Sequence, residues 1–242
     1  MTPERFDFYD NQQNWLGTAP RTEVHAKGYW HRSFHCWIVR DEVGQRMVLF
    51  QRRRDIKDTF PLYYDITAAG HLTAGEQLHE ASRELEEELG VQAAFETLTY
   101  LLTAKQELQG EVRGVPFIDR EFSSVYGLCL NQSLEEYILQ PSEVHGLYEV
   151  ALDDLLALFR GDREVIEATG IRIETELLAS STNRNTDERT ELGTSDDVYS
   201  SPSSVRETVT VHAHEFVPHG EDYYIRVLEA LYDVPSSKSD TL

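Results

Sequence analysis

Residues 70–91 read Gly70-His71-Leu72-Thr73-Ala74-Gly75-Glu76, then Gln77 to Ser82, then Arg83-Glu84-Leu85-Glu86-Glu87-Glu88-Leu89-Gly90-Val91. The spacing predicts a helix over 77–89 that ends at Gly90, since glycine takes the left-handed cap conformation at little cost. On that helix Glu84, Glu87 and Glu88 stand at i, i+3 and i+4 and share a face, while Ala81, Leu85 and Leu89 form the opposing apolar stripe. Four glutamates within five residues repel one another. Such a face is either solvated acidic surface or a seat for a hard divalent ion, because Mg²⁺ takes carboxylate oxygens together with water and substrate phosphate. The loop ahead of the helix favours the second reading. Gly70 and Gly75 permit tight turns and close backbone approach to a ligand, and Glu76 and Arg83 can pair across the loop–helix junction.

Outward from this stretch, strand-like and helix-like signals alternate. Residues 34–39 (Phe-His-Cys-Trp-Ile-Val) read as a buried strand, a turn follows at Asp41, Glu42 and Gly44, and 47–50 read as the returning strand. Arg52, Arg53 and Arg54 follow at once and form the densest positive cluster in the chain. Arg52, nearest the strand end, is the candidate for gripping a phosphate with bidentate geometry. Further strands are expected at 97–104, 122–130 and 143–150, and a short amphipathic helix at 152–159 before Gly161. This order predicts an α/β or α+β layered fold. Beyond 178 the composition changes: 180–204 is rich in Ser, Thr, Asn, Asp and Glu and reads as a flexible polar linker. Pattern returns near the end, with a helix expected over 219–232 that docks on the preceding domain, being too short to stand alone.

The whole chain has 242 residues, 43 of them acidic against 22 basic, a formal charge of −21. That field repels nucleic acid polymers and anionic membranes. No apolar run approaches the roughly 18 residues of a membrane span. The acidic start lacks the order of a signal peptide, and two cysteines, Cys36 and Cys129, are too few for a disulfide scaffold. The expectation is a cytoplasmic protein acting on a small molecule, with a homodimer as the default assembly.

The 70–91 stretch resembles the signature of the Nudix hydrolase family: a glycine, a glutamate, then Arg-Glu-aliphatic-x-Glu-Glu-x-Gly-aliphatic. Those identities fall on Gly70, Glu76, Arg83, Glu84, Leu85, Glu87, Glu88, Gly90 and Val91. One spacing departs, with six residues instead of seven between Glu76 and Arg83. The resemblance implies a Nudix fold, a mixed β-sheet sandwiched between helices, over 1–160. A connecting segment would follow at 161–179, the linker at 180–204, and a C-terminal helical extension at 205–242. It also implies a pyrophosphohydrolase, an acid anhydride hydrolase that uses Mg²⁺ or Mn²⁺ and water to cleave a nucleoside diphosphate-like or other organic diphosphate. Glu84 and Glu88, with Glu87 and the Gly70 carbonyl, would hold the metal. Glu87 would orient or deprotonate the water, and Glu121, at the head of a later strand, is a second candidate base or ligand. Glu76, Arg83 and Gly90 would shape the motif. For the organic part of the substrate, Trp30, Tyr64 and Tyr126 are stacking candidates.

The chain also resembles isopentenyl-diphosphate isomerase, which shares the Nudix fold. His25, His31, His71, Asp119 and Glu121 look like that enzyme's metal-binding arrangement, and three imidazoles with carboxylates suit a divalent ion if they converge. The cysteine which that isomerase carries before Gly-His is Ala69 here. A methyl group moves no proton, so isomerase chemistry is the weaker alternative. The intact glutamates likewise weigh against a purely ligand-binding regulatory module.

Overall fold

The computed structural model describes residues 3–112, 114–174, 204–220 and 222–237. Apart from Ser204, the expected linker at 180–204 lies outside them. The elements run β1 (Arg5–Tyr9), β2 (Trp15–Pro20), α1 (Arg21–Lys27), β3 (Trp30–Glu42), β4 (Gln45–Arg53), β5 (Tyr64–Asp65), β6 (Ala68–His71) and α2 (Arg83–Leu89). They continue with β7 (Thr99–Val112), β8 (Val115–Cys129), β9 (Val144–Ala151), α3 (Leu152–Arg160), β10 (Ile166–Ile173), β11 (Ser204–Val211) and α4 (Tyr223–Ala230).

All the described strands belong to one mixed sheet whose main path is β11-β10-β9-β4-β3-β1-β2. β3 is its hub. It runs parallel to β8 over Trp30–Val39, while β4 and β6 pair antiparallel along its other edge. Because side chains alternate across a strand, β3 sends Phe34, Cys36 and Ile38 to one face and Trp37 and Val39 to the other. The first face receives Leu85 and Leu89 of α2; the second receives α3 and α4. Helices thus cover both faces, the layering expected from the sequence. Leu85 and Leu89 are fully buried, worth roughly 1.5–3 kcal/mol each. That anchoring is what a seven-residue helix needs, being far below the length at which a helix holds itself in water.

The helix expected as one piece over 77–89 comes in two: a 3₁₀ stretch at Leu78–Ser82, then α2 ending at Gly90 with φ 69°. The 3₁₀ form rises about 2.0 Å per residue against about 1.5 Å in an α-helix. Its longer rise gives the shortened connection between Glu76 and Arg83 more reach per residue. The polar lead-in over 10–26 contains β2 and α1, which its composition did not announce. They are held by pairing with β1 and by a small cluster of Phe6, Ala19 and Val24. The helix expected over 219–232 is α4, with a 3₁₀ turn at Leu231–Asp233. Tyr224 of α4 stacks on Phe159 of α3 at 4.1 Å, and Arg46 Nη1 donates to the carbonyls of Leu231, Tyr232 and Val234 beyond it.

Candidate functional site

Glu84 and Glu88 lie one turn apart on the side of α2 that meets β6. The close approach at Gly70 has a simple cause: a Cβ there would lie 2.0 Å from Glu84 Oε1, so only glycine leaves room for the carboxylate. Glu88 is 7% exposed. Its Oε2 accepts from Gln51 Nε2 at 3.1 Å and from the Ala69 amide at 3.3 Å. Burial, and then the charge of Glu84, push Glu88 up to about 8, with Lys57 and the Ala69 amide opposing. Burial also raises Glu84, against the pull of Arg83. A buried and a half-buried carboxylate, both raised in proton affinity and one of them by the other, suit a hard cation. The side chain of Glu87 is 57% exposed and faces outward to Arg83 Nη1 at 2.9 Å.

Arg83 organises the junction. Its Nε and Nη2 grip Glu76 at 2.9 and 3.1 Å, and Nη1 donates to Glu84 at 2.7 Å. Glu76 in turn accepts from the amide and hydroxyl of Thr73. β1 steadies the same loop: the Gly75 amide donates to Asp7, and the Ala74 amide to the Arg5 carbonyl.

On the opposite face of β6 a second group converges. His25 comes from α1, His31 from β3, His71 from β6 and Asp119 from β8, and one ligand atom from each lies within 4.8 Å of the others. His25 Nε2, His31 Nε2 and Asp119 Oδ1 are buried with no hydrogen-bond partner. Burial, then the neighbouring imidazoles, pull His25 down to about 3, and burial with His71 pulls His31 to about 4. Both are therefore neutral at pH 7, the form in which imidazole binds a metal. Orphaned, converging, neutral donors beside a carboxylate fit a divalent ion of the N/O-ligated kind. Phe6 stacks on His31 and His71 and closes the cluster from the β1 side.

Glu121 borders this cluster. Its Oε1 faces His71 Nε2 at 3.1 Å, and its Oε2 accepts from Ser33 Oγ at 2.6 Å and from Gln106 Nε2 at 3.4 Å. Burial would raise its proton affinity, but His71 and the other imidazoles outweigh that and hold Glu121 well below the ordinary range. Asp119 beside it is raised, by burial and by the charge of Glu121. His71 is lowered by burial, yet its bond to Glu121 leaves it raised overall.

Other sequence candidates sit apart from these centres. Arg52 Nε donates to the Leu62 carbonyl and its guanidinium lies 5.5 Å over the Tyr64 ring. Trp30 stacks on Phe122 under Lys105. Tyr126 packs against Phe34 and Phe95, and Tyr64 among Phe50, Tyr148 and Phe216. The three stacking candidates do not share a pocket. A cavity of about 450 Å³ instead opens among Phe60, Tyr63, Phe159, Phe216, His219 and Tyr224. Sequence reasoning did not single out Ser33, His35, Gln51, Lys57, Asp65, Gln106, His219 or Tyr223. His219 Nε2 lies 2.7 Å from Asp65 Oδ1, itself paired with Arg53; only contacts between residues far apart in the chain reveal such partners.

Residues 29–169 match the family model described as the NUDIX domain. An uncharacterized Nudix hydrolase of Clostridium acetobutylicum is 33% identical over 96% of this chain and 99% of its own length. Nudix hydrolase 3 of Arabidopsis thaliana is 37% identical over 64% of this chain, a match that spans 20% of the plant protein. An isopentenyl-diphosphate Delta-isomerase of Mycolicibacterium vanbaalenii is 38% identical over 37% of this chain and 49% of its own. The match runs through both the glutamate helix and the sheet that carries it, and the chain belongs to the Nudix hydrolase family.

Proposed function

We propose that this enzyme cleaves the diphosphate linkage of an organic diphosphate by metal-dependent attack of water on phosphorus. The observation that carries the reading is the pair of carboxylates, half-buried Glu84 and buried Glu88, set against the Gly70–Ala69 backbone. Glu84, Glu88 and the Gly70 carbonyl would hold Mg²⁺ or Mn²⁺. When bound, the ion supplies charge neutralisation at the phosphoryl oxygens and a more acidic water. Arg83 fixes Glu84 and, through Glu76, the angle at which α2 meets the loop. Glu87, outward beside them, would take the proton of the attacking water. His25, His31, His71 and Asp119 would hold a second divalent ion, with Glu121 orienting His71 beside it.

The aromatic cavity suits a ring or a short chain in size, and none of its lining residues among those described is a lysine or arginine. It is lined from the α3–α4 side of the sheet and by no residue of the glutamate centre. The isomerase alternative fails at Ala69, which offers no proton where the cysteine would.

The test is a phosphate-release screen with Mg²⁺ or Mn²⁺ over nucleoside diphosphate sugars, dinucleoside polyphosphates, NADH, FAD, thiamine diphosphate and isopentenyl diphosphate. Glu87→Gln and Glu88→Gln serve as controls. Turnover of one compound that both variants lose is the expected result. Silence across the panel in a protein that binds Mn²⁺ normally overturns the hydrolytic reading.

A further inference from the structure

We propose that the C-terminal segment, which lies beyond the matched span of 29–169, fixes the carboxylate of Glu121 through two arms, one hydrogen-bonded to it and one ending in a 3.9 Å imidazole–carboxylate contact. His219 and Tyr223 are then positioning residues of the histidine centre, a role that rests on the metal-binding reading of that centre given above.

The first arm runs through His219. Its Nε2 faces Asp65 Oδ1 at 2.7 Å and its Nδ1 faces Gln106 Oε1 at 3.2 Å. Asp65 already accepts from Arg53 and from the Ile66 amide, and an ionised carboxylate only accepts. Gln106 turns its NH₂ toward Glu121 Oε2 at 3.4 Å. Flipping that amide would set two oxygens against each other, so the network fixes its orientation. Both ring nitrogens of His219 therefore face side-chain oxygens. Clamped against Asp65, His219 holds Gln106 with its NH₂ turned toward Glu121.

The second arm runs through Tyr223. Trp37 Nε1 can only donate, and it does so to the Tyr223 oxygen at 3.3 Å. The Tyr223 proton is then free for His35 Nδ1 at 2.9 Å. His35 is left with its own proton on Nε2, which points at Glu121 Oε2 from 3.9 Å. The two arms approach the same carboxylate oxygen from β7 and β3, beside Ser33. The other oxygen is thereby presented to His71. The hydroxyl of Tyr224, one residue on, bonds the Val217 carbonyl within the C-terminal segment itself. It supports the segment without reaching Glu121 and provides a control.

The experiment uses the full chain, labelled with ¹⁵N-histidine and ¹³C-glutamate and free of metal. The ¹⁵N shifts should show His219 hydrogen-bonded at both ring nitrogens and His35 as a single Nε2–H tautomer. Tyr223→Phe keeps the buried ring and should make the His35 tautomers mix. His219→Ala and Tyr223→Phe should each move the Glu121 side-chain ¹³C resonance, whereas Tyr224→Phe should not. In a Glu84→Gln/Glu88→Gln background, Mn²⁺ binding measured by EPR reports the histidine centre alone. There the two positioning variants should weaken affinity about 10-fold, the lower end for a group that orients a metal ligand, and Tyr224→Phe should leave it unchanged. A His219 with either ring nitrogen free of a hydrogen bond, or a Glu121 resonance indifferent to both variants, overturns the proposal. So does Mn²⁺ affinity that survives both. If the background protein binds no Mn²⁺, the metal-centre reading falls and the positioning role falls with it, while the shifts still decide whether the two arms exist.

Discussion

Gly70→Ala adds one methyl group at the point where the Glu84 carboxylate packs against β6. The new carbon would lie 2.0 Å from Oε1, 2.1 Å from Cδ and 2.7 Å from Oε2. Comfortable contacts begin near 3.5 Å, so the carboxylate must retreat by about 1–1.5 Å. The backbone is no obstacle, because Gly70 is not among the glycines with positive φ. Alanine even gains roughly 0.5–1 kcal/mol over glycine in a strand. Against this, Glu84 gives up its 2.7 Å bond to Arg83, which is worth about 1 kcal/mol because the arginine side chain is 34% exposed. Adding the repacking around a displaced buried carboxylate, the net cost is about 1–2 kcal/mol, a fall in Tm of roughly 2–8 °C. The loss of function should be much larger. A ligand displaced by about 1 Å costs on the order of 100-fold in rate, and Mn²⁺ affinity should fall in step. Thermal melts, a Mn²⁺ titration and turnover on the screened substrate measure the three effects. In a Glu84→Ala background the same methyl group should cost nothing in stability, because its partner in the clash is gone. A folded Gly70→Ala protein with unchanged Mn²⁺ affinity and turnover would refute the assignment of Glu84 to the metal.

Three further outcomes follow from the charges. The proton affinity of Glu88, raised by burial and by Glu84 to about 8, makes the folded state bind a proton that the unfolded chain releases. The stability of the metal-free protein should therefore decline between about pH 4.3 and 8. Glu88→Gln should flatten that decline in thermal melts and reduce the rise in Tm that Mg²⁺ or Mn²⁺ gives the parent, leaving the part that the histidine centre supplies. Asp65 is opposed by burial, but His219 and Arg53 hold it well below the carboxylate range. Its stabilisation is complete above about pH 3.9 and is lost as pH falls toward the folded value. Asp65→Asn should make acid unfolding below pH 4 shallower while costing on the order of 3 kcal/mol at pH 7, read from urea titrations at both pH values. Arg46→Met removes three charge-assisted bonds to the carbonyls after α4. It should cost about 2 kcal/mol by urea unfolding, with turnover retained if α4 stays docked.

What could be read in advance was local. The glutamate spacing, Leu85 and Leu89 of the apolar stripe, and the Gly90 cap are local features that appear in α2, while Ala81 falls in the 3₁₀ stretch before it. The strands at 34–39 and 47–50 are continuous apolar runs, and they became the centres of β3 and β4. The early elements β1, β2 and α1 bury few residues and are specified by pairing with distant strands, which leaves little periodic trace. The same limit governs the site. Nothing near His219 in the sequence announces Asp65 or Gln106, which lie 154 and 113 positions away. Arg52 looked available for phosphate because it is charged and ends a strand. Its actual partners, the Leu62 carbonyl and the Tyr64 ring, come from the turn that brings β5 back beside β4. Charge type could be read from the chain, but not the direction in which the charge points.

The four residues of β6 explain why one short strand can serve two centres. In register with β3, Ala68 and Gly70 pair with Cys36 and Phe34, whose side chains enter the core beneath α2. Gly70 thus meets Glu84 on that side, and the absence of a side chain there is what lets a charged helix come so close. Ala69 and His71 pair with His35 and Ser33 and look the other way, toward Glu121 and the histidine cluster. A strand alternates faces at every residue, so a one-residue slip of β6 would put the imidazole of His71 against the carboxylate of Glu84 and turn Gly70 toward the histidines. Both centres therefore depend on the same register. The bond from the Ala69 amide to Glu88 ties the edge of that strand to α2, so a substitution that shifts β6 should impair the two groups together, whereas Glu88→Gln should impair the glutamate centre alone.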